Sequence, residues 1–414
     1  MTQRIAVIGA GIVGVSTAEW LRRDGHQVTL IDRIDPGDPA QTSYGNAGIL
    51  AASSIVPVPV PGLLRKVPKM LMDPLGPLHI KWTYLPRMLP WLIPFLKRAT
   101  TEDVVKTANA LASIVTDAVE QHKMLANGTP AADFIHDGIY AFLYTSKAAC
   151  DADEWTHAIR REHGARVEFR DRQRLLEDDP HLGPHYNYAA CHLDHGWIGD
   201  PGRYVAALAA FYRQNGGGFL KGEVDDIQPS DDGVHVHVSG NDVEFDQAVL
   251  AGGAWSGKLA KRLGHNPMLE SERGYHMLLR EPNHAPPFAY MLTDAKFVAT
   301  PMDRGLRCAG QVEFGGLDAG PSTKPFDVVN ARVKQLYPDL EWSSDERWLG
   351  HRPSTVDSVP FIGPSPKARQ IHFAFGAQHI GLTTGPKTGR LIADIIGNRT
   401  PNIDLSPFEV GRFD

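Results

Sequence analysis

Arg4-Ile5-Ala6-Val7-Ile8-Gly9-Ala10-Gly11-Ile12-Val13-Gly14 is the stretch that decides the fold. Its first half is a continuous β-branched and apolar run, the pattern of a strand buried on both faces. Its second half is G-x-G-x-x-G, and helix periodicity follows at Val13, Thr17, Ala18 and Leu21 until Gly25 stops it. Val28 to Ile31 then reads as a second strand, ending at Asp32 and Arg33. In this strand–turn–helix–strand setting Gly9 makes the tight turn, Gly11 lets backbone approach a pyrophosphate, and Gly14 lets helix and strand pack closely. The diphosphate belongs on the helix N-terminus, at Ile12 and Val13, where free N–H groups and the helix dipole favour an anion. Asp32, close to the expected offset of about 20 residues, can accept from ribose hydroxyls, and an acid there argues against a 2′-phosphate.

Working outward, 414 residues are too many for one ordinary core and suit two domains. A hydrophobic fraction of 42% fits a soluble globular protein, and a net charge of −6 offers no basic footprint for nucleic acid. Cys150, Cys191 and Cys308 lie far apart without a C-x-x-C, which gives neither a disulfide framework nor a metal site and fits a reducing compartment. The N-terminal apolar run continues directly into a helix and does not read as a signal peptide. No stretch reaches the roughly 18 apolar residues of a spanning helix. The expected location is cytoplasmic.

Ile34 to Ile55 is rich in Gly, Ser, Pro and Asn and reads as loop. From Pro57 to Leu96 prolines recur every few residues, which forbids one long helix. Thr101 to Ala126 reads as one helix, apolar at Val104, Ala108, Leu111, Ile114, Val115 and Ala118. Asp200-Pro201 is an N-cap followed by proline at the first helical position. Val234–Val238 and Val243–Leu250 suggest a hairpin returning to a buried strand, and strands flank a Pro-rich loop between Glu272 and Thr300. Arg307–Glu313 is a further strand and Phe326–Leu336 a helix; Gln370 to Asn398 runs strand, glycine-rich turn, then helix from about Pro386. The order implies an α/β fold: a discontinuous Rossmann-like cofactor domain over residues 1–60, 195–265 and 345–414, and a second α+β substrate domain with a mostly antiparallel sheet over 61–194 and 266–344.

The fingerprint alone does not separate FAD from NAD, but Thr42-Ser43-Tyr44-Gly45-Asn46-Ala47-Gly48, small and polar, suits the longer cofactor. Taken with Asp200-Pro201-Gly202-Arg203-Tyr204, Leu250-Ala251-Gly252-Gly253-Ala254-Trp255-Ser256, Arg273-Gly274-Tyr275-His276, the run from Arg352-Pro353-Ser354-Thr355-Val356-Asp357 to Gly363, and Gly381-Leu382-Thr383 to Gly389, the chain resembles the FAD-dependent amine oxidoreductases of the glycine-oxidase and D-amino-acid-dehydrogenase branch. The proline-interrupted stretch before Leu96 is most similar to the dehydrogenases. The resemblance implies FAD held by the fingerprint, by Asp32 and Arg33, by Thr42, Ser43, Asn46, Ala47 and Gly48, by Val224, Ala251 and Gly252, and by Gly376, Gly381, Leu382 and Thr383. Some relatives attach FAD through a cysteine near the Arg352 segment; here Trp348-Leu349-Gly350-His351 precedes it, so the resemblance implies noncovalent FAD.

Amine oxidation by flavin moves a hydride from the α-carbon to N5, and the protein need supply only position, a neutral amine and stabilisation of the reduced ring. A guanidinium pairs bidentately with a carboxylate, and Arg352 stands where similar proteins have their substrate-carboxylate arginine; the bland alternative is a structural ion pair with Asp357 or another carboxylate. Tyr275 and His276 lie on a strand that in similar proteins faces the flavin, Tyr275 being equally well read as a packed core aromatic. N–H groups in the Gly376–Thr383 turn would stabilise charge on the reduced ring. The family often has a histidine after the first glycine of that turn; Ala377 stands there instead, leaving His379 as a candidate.

The main expectation is therefore oxidative deamination of a D-amino acid, including the D-proline or hydroxy-D-proline type. The alternatives are a glycine- or sarcosine-type oxidase using oxygen and, outside enzymes, a flavin-binding redox subunit. The electron acceptor is a quinone or oxygen. Pro61 to Arg98 interleaves aromatic and aliphatic residues with Arg65, Lys66, Lys69, Lys81, Arg87, Lys97 and Arg98. That pattern suits weak peripheral contact with the inner face of a membrane, or packing over the substrate domain or a dimer contact.

Overall fold

The computed structural model describes residues 2–414. The expected first strand, Arg4–Ile8, lies inside a six-stranded sheet of order Phe361–Ser365, Ala368–Phe375, Gln247–Leu250, Arg4–Ile8, Gln27–Asp32 and Gly218–Lys221. Every pairing is parallel except that of the edge strand Phe361–Ser365. Burial on both faces explains the continuous apolar run: Ile5 and Val7 join the core under the helices, while Ala6 and Ile8 face a small three-stranded sheet built from the Val234–Val238 hairpin. Helices Ile12–Arg23 and Gly381–Ile396 share the first face. Gly389 permits their approach, since a Cβ there would fall 2.7 Å from the Thr17 nitrogen.

The second sheet has ten strands and is mostly antiparallel. Its leading edge runs Ser344–Thr355, Leu269–Arg280, Gly305–Phe314, Phe297–Met302. Strand Ser344–Thr355, expected with the cofactor domain, pairs along its whole length with Leu269–Arg280 and so belongs to this sheet. Conversely, the helical region after Thr101 packs on the core of the six-stranded sheet, through Val104, Ala108, Leu111 and Ile114.

Two local expectations need correction. The single helix over Thr101–Ala126 is two, Thr101–Val115 and Ala118–Ala126. At the break the Thr116 hydroxyl turns back to the Ala112 carbonyl and Asp117 pairs with Lys387. The final helix begins at Gly381 and runs through Pro386. Helix Leu85–Lys97 likewise continues through Pro90 and Pro94, because its other face is anchored: Met88, Trp91 and Phe95 are buried, and the Trp91 indole donates to the Ser354 carbonyl at 3.0 Å. This segment thus packs over the Arg352 end of the sheet. Its outer side leaves Leu64, Met72, Trp82, Leu89 and Ile93 exposed; the side chains of Lys66 and Lys69 lie outside the described residues.

Candidate active site

A cleft of about 580 Å³ opens along the ends of the parallel strands. Gly9 turns at φ +108°, and a Cβ on it would fall 2.5 Å from the Ala251 carbonyl oxygen; Gly14 packs against the Gly9 carbonyl as its expected role demands. Helix Ile12–Arg23 starts at Gly11 with neither a side-chain cap nor an acidic first turn, and so does helix Gly381–Ile396 after Ile380. Apart from the Ile12 N–H, which donates to the Ser43 hydroxyl, these N-termini have no side-chain cap and suit anionic groups. Asp32 lines the cleft and accepts from the Ala10 N–H at 2.6 Å and the Ile34 N–H at 3.2 Å, fixing the fingerprint turn.

Of the residues expected at the cofactor, Gly9, Gly11, Ile12, Val13, Asp32, Arg33, Thr42, Ser43, Asn46, Val224, Ala251, Gly252, Gly376, Gly381 and Leu382 line this cleft. Gly14, Ala47, Gly48 and Thr383 lie behind its wall. Gly48 turns at φ +79°, and the Thr383 hydroxyl donates to the Ile49 carbonyl at 3.1 Å. Gln41, Trp255, Leu317, Asp318 and His351 also line it, and of these Gln41, Leu317 and Asp318 carry no motif that marks them in the sequence. The uncapped helix starts, the glycine turn and the length of the lining, from Val224 to Gln378, fit FAD, which when bound supplies the hydride-accepting ring.

Beside the cleft, Gln378 donates its backbone N–H to the Pro353 carbonyl and Ala377 bridges Ser354, joining the glycine-rich turn to the end of the Arg352 strand. Arg352 and Glu272 are directly paired across two antiparallel strands. The Arg352 guanidinium donates to the Gln311 carbonyl at 3.2 Å, and no carboxylate lies within ion-pair distance among the described residues. Asp357, the alternative partner, is taken by Arg412 at 2.8 Å. Burial lowers the pKa of Arg352 while the field of Glu272 opposes that, and burial raises the pKa of Glu272. Gly274 faces Gly350 one step along, and a Cβ on Gly274 would fall 2.6 Å from the guanidinium carbon, so the arginine lies over bare backbone. His379 is close enough to feel Arg352; solvent reaches it, yet the surrounding protein and that cation hold its pKa near 4, leaving a neutral imidazole.

The two remaining candidates are not on the cleft. Tyr275 is buried against Phe326, and its hydroxyl donates to Glu313 at 2.6 Å and accepts from the Ser322 N–H at 3.1 Å, the packed-aromatic reading. His276 is buried too and donates from Nδ1 to the Gly45 carbonyl at 2.9 Å; burial drives its pKa far down, so the ring is neutral. Among the described residues no cluster of His, Cys, Asp or Glu forms a metal site, and no helix is long and apolar enough to cross a membrane.

A two-domain flavoprotein, with an arginine that has no carboxylate within ion-pair distance among the described residues beside its cofactor cleft, is the class these features define. The FAD dependent oxidoreductase family matches residues 4–395, and the chain belongs to it. A D-amino-acid oxidase of Bradyrhizobium diazoefficiens is 38% identical over 99% of both chains. A D-amino acid dehydrogenase of Granulibacter bethesdensis is 27% identical, again over 99% of each. The crystal structure of glycine oxidase from Geobacillus kaustophilus superposes with a TM-score of 0.75 over 100% of both chains at 22% identity, a likeness of fold. The protein is therefore an FAD-dependent oxidoreductase acting on CH–NH or CH–NH2 donors, with an amino-acid-type substrate and an electron acceptor.

Proposed function

We propose that the protein is an amino-acid oxidase of the D-amino-acid and glycine type, delivering electrons to oxygen. The observation that carries the substrate class is the half-buried Arg352 guanidinium, which among the described residues has no carboxylate within ion-pair distance, since such a cation suits an anionic ligand. FAD, held along the cleft by the Gly9–Gly14 turn and the Gly376–Leu382 turn, would supply the hydride acceptor for the substrate's α-carbon, and the resulting imino acid would be hydrolysed by water to a 2-oxo acid and ammonia. Arg352 holds the carboxylate, and neutral His379 stands beside it. The relatives weigh toward the oxidase alternative over the dehydrogenase first expected, the oxidase being the more similar of the two named above. Anaerobic bleaching of the flavin absorbance by a panel of glycine, N-methylglycine and D- and L-amino acids tests the substrate; reoxidation by air against a soluble quinone tests the acceptor. Bleaching by none of the panel would overturn the reading, and reoxidation by quinone alone would return it to a dehydrogenase.

Weak peripheral contact with an anionic membrane is supported by a different observation. Between Pro57 and Arg98 the sequence carries seven basic residues against one acid, Asp73, in a chain of net charge −6. On the same segment Met72 is 76% and Trp82 66% exposed. Cosedimentation with anionic vesicles at low salt, lost at high salt, is the expected result; no binding at low salt removes the idea.

A further inference from the structure

The cofactor-lining segment 39–46 is gripped from behind by the other domain's sheet. Trp348, His276 and Arg307 sit on three adjacent strands, and the antiparallel register puts them on one face: Trp348 is paired with His276, and Arg307 with Leu278, two residues along. The Trp348 indole donates to the Pro39 carbonyl at 2.7 Å. Arg307 donates from one nitrogen to the carbonyls of Tyr44 at 3.0 Å and Asn46 at 2.6 Å, and His276 takes the carbonyl between them, Gly45. Three consecutive carbonyls are thereby held on the sheet side. On the opposite side Thr42, Ser43 and Asn46 line the cofactor cleft, and the Ser43 hydroxyl accepts from the Ile12 N–H at 3.0 Å.

Among the described residues neither Arg307 nor His276 has a carboxylate within ion-pair distance, although the field of Asp200 reaches Arg307. Arg307 and His276 are each 2% exposed, and burial lowers the Arg307 pKa to about 10, which leaves it charged at neutral pH. The stacking of His276 on Trp348, ring centres 4.9 Å apart, fixes the imidazole so that Nδ1 meets the carbonyl. Gly45 and Gly350 admit the indole, since a Cβ on either would overlap its ring. The strand that carries Trp348 carries Arg352 four residues on, roughly 13 Å along an extended chain.

We propose that Arg307 and His276 are positioning residues that clamp the 44–46 backbone and so set the flavin's place relative to Arg352. The clamp on the cofactor stands independently of the substrate assignment; only the coupling to Arg352 rests on the carboxylate reading above. The sequence held the motif Tyr44-Gly45-Asn46 but gave no hint of its grip, because the donors lie more than 200 residues away.

Three variants test it in the holoenzyme: Arg307→Lys, His276→Leu and His276→Asn, the last keeping an N–H donor near the place of Nδ1. The readouts are far-UV circular dichroism, the visible flavin spectrum, the rate of FAD loss on dilution, and KM against kcat. Arg307→Lys and His276→Leu are expected to fold, to lose FAD about tenfold faster, to shift the flavin bands, and to lower kcat more than they raise KM. His276→Asn is expected to stay near the parent protein. A folded Arg307→Lys or His276→Leu with unchanged spectrum and FAD retention overturns the clamp. So does His276→Asn behaving as His276→Leu, which would assign the effect to stacking on Trp348, and so does a failure of both disruptive variants to fold.

Discussion

Gln378 donates its backbone N–H to the Pro353 carbonyl at 3.0 Å, so the turn bearing His379 and the strand bearing Arg352 move as one piece. Gln378 itself takes φ +44°, and its side-chain amide donates to Ser358 at 3.0 Å, pinning the unusual backbone in place. The glycine-rich turn belongs to the six-stranded sheet's last strand and Arg352 to the ten-stranded sheet. This short bridge is where the cofactor-binding and substrate-binding halves of the site are held in register.

Arg352→Lys keeps the charge and loses the planar fork. Its expected cost is ~1.5–3 kcal/mol of substrate binding, a KM increase of about ten- to a hundredfold. FAD occupancy should hold, because Arg352 is not in the cleft lining. Steady-state kinetics beside the flavin-to-protein absorbance ratio check it, and an unchanged KM sinks the assignment.

Denaturation is expected to release free FAD. Cys150, Cys191 and Cys308 are buried and none lines the cleft. Flavin fluorescence should appear in the supernatant after acid precipitation; fluorescence that stays with the protein band on a denaturing gel contradicts it.

What was legible in the sequence was local. The fingerprint, Asp32 and the Asp200-Pro201 cap are read within one turn or one strand, and Asp200 does accept from the Arg203 N–H at 3.1 Å. Register between distant strands was not legible. Nothing in the sequence announces that Gly274 faces Gly350, or that Asp357 is claimed by Arg412 from the last few residues. Strand geometry separates one pair of candidates: Tyr275 and His276 are neighbours on a strand, and neighbours point to opposite faces. Tyr275 joins Met277 and Leu279 in the core, and His276 takes the opposite face, against the Gly45 carbonyl. Pro57 to Leu96 does not form one long helix, but within it Leu85–Lys97 runs through Pro90 and Pro94 because a buried face, here Met88, Trp91 and Phe95, outweighs the donors that proline removes.

Tyr275→Phe should therefore act on stability and spare binding. It removes the donor to Glu313 and the acceptor for the Ser322 N–H, while Arg273 at 3.0 Å and the Ser322 hydroxyl still hold Glu313. A loss of ~1–3 kcal/mol is expected from a hydrogen bond to a charged group, seen as a lower Tm with KM unchanged. A raised KM with an unaltered Tm would instead return Tyr275 to the substrate pocket.

Stability is expected to fall as pH drops from about 6.5 toward 4. Burial depresses the pKa of His122 to about 4, of His192 to about 2, of His195 to about 3 and of His372 to about 4, from an ordinary 6.5. Above 6.5 these groups are neutral in both states and contribute no slope. Below it the unfolded chain binds protons that the folded chain refuses, so the unfolded state gains. Denaturant midpoints at pH 7.5, 6 and 5 check the sign; a midpoint that rises on acidification refutes it.

Gly274→Ala separates the arginine's position from its chemistry. The new Cβ would lie 2.6 Å from the guanidinium carbon and its Nη2, the far end of a flexible side chain, and Gly274 does not occupy the left-handed region where alanine is strained. The strand can therefore accept the methyl, and it is the guanidinium that must move. Displacing a bidentate donor by an ångström costs orientation that charge alone does not restore. The expected result is a KM raised about tenfold or more, with Tm and FAD retention close to those of the parent protein. The substitution leaves Arg352 in the chain, so a carboxylate ligand that owes its place to the guanidinium must feel the shift. Unchanged KM in a folded Gly274→Ala protein would mean that the substrate carboxylate is held elsewhere.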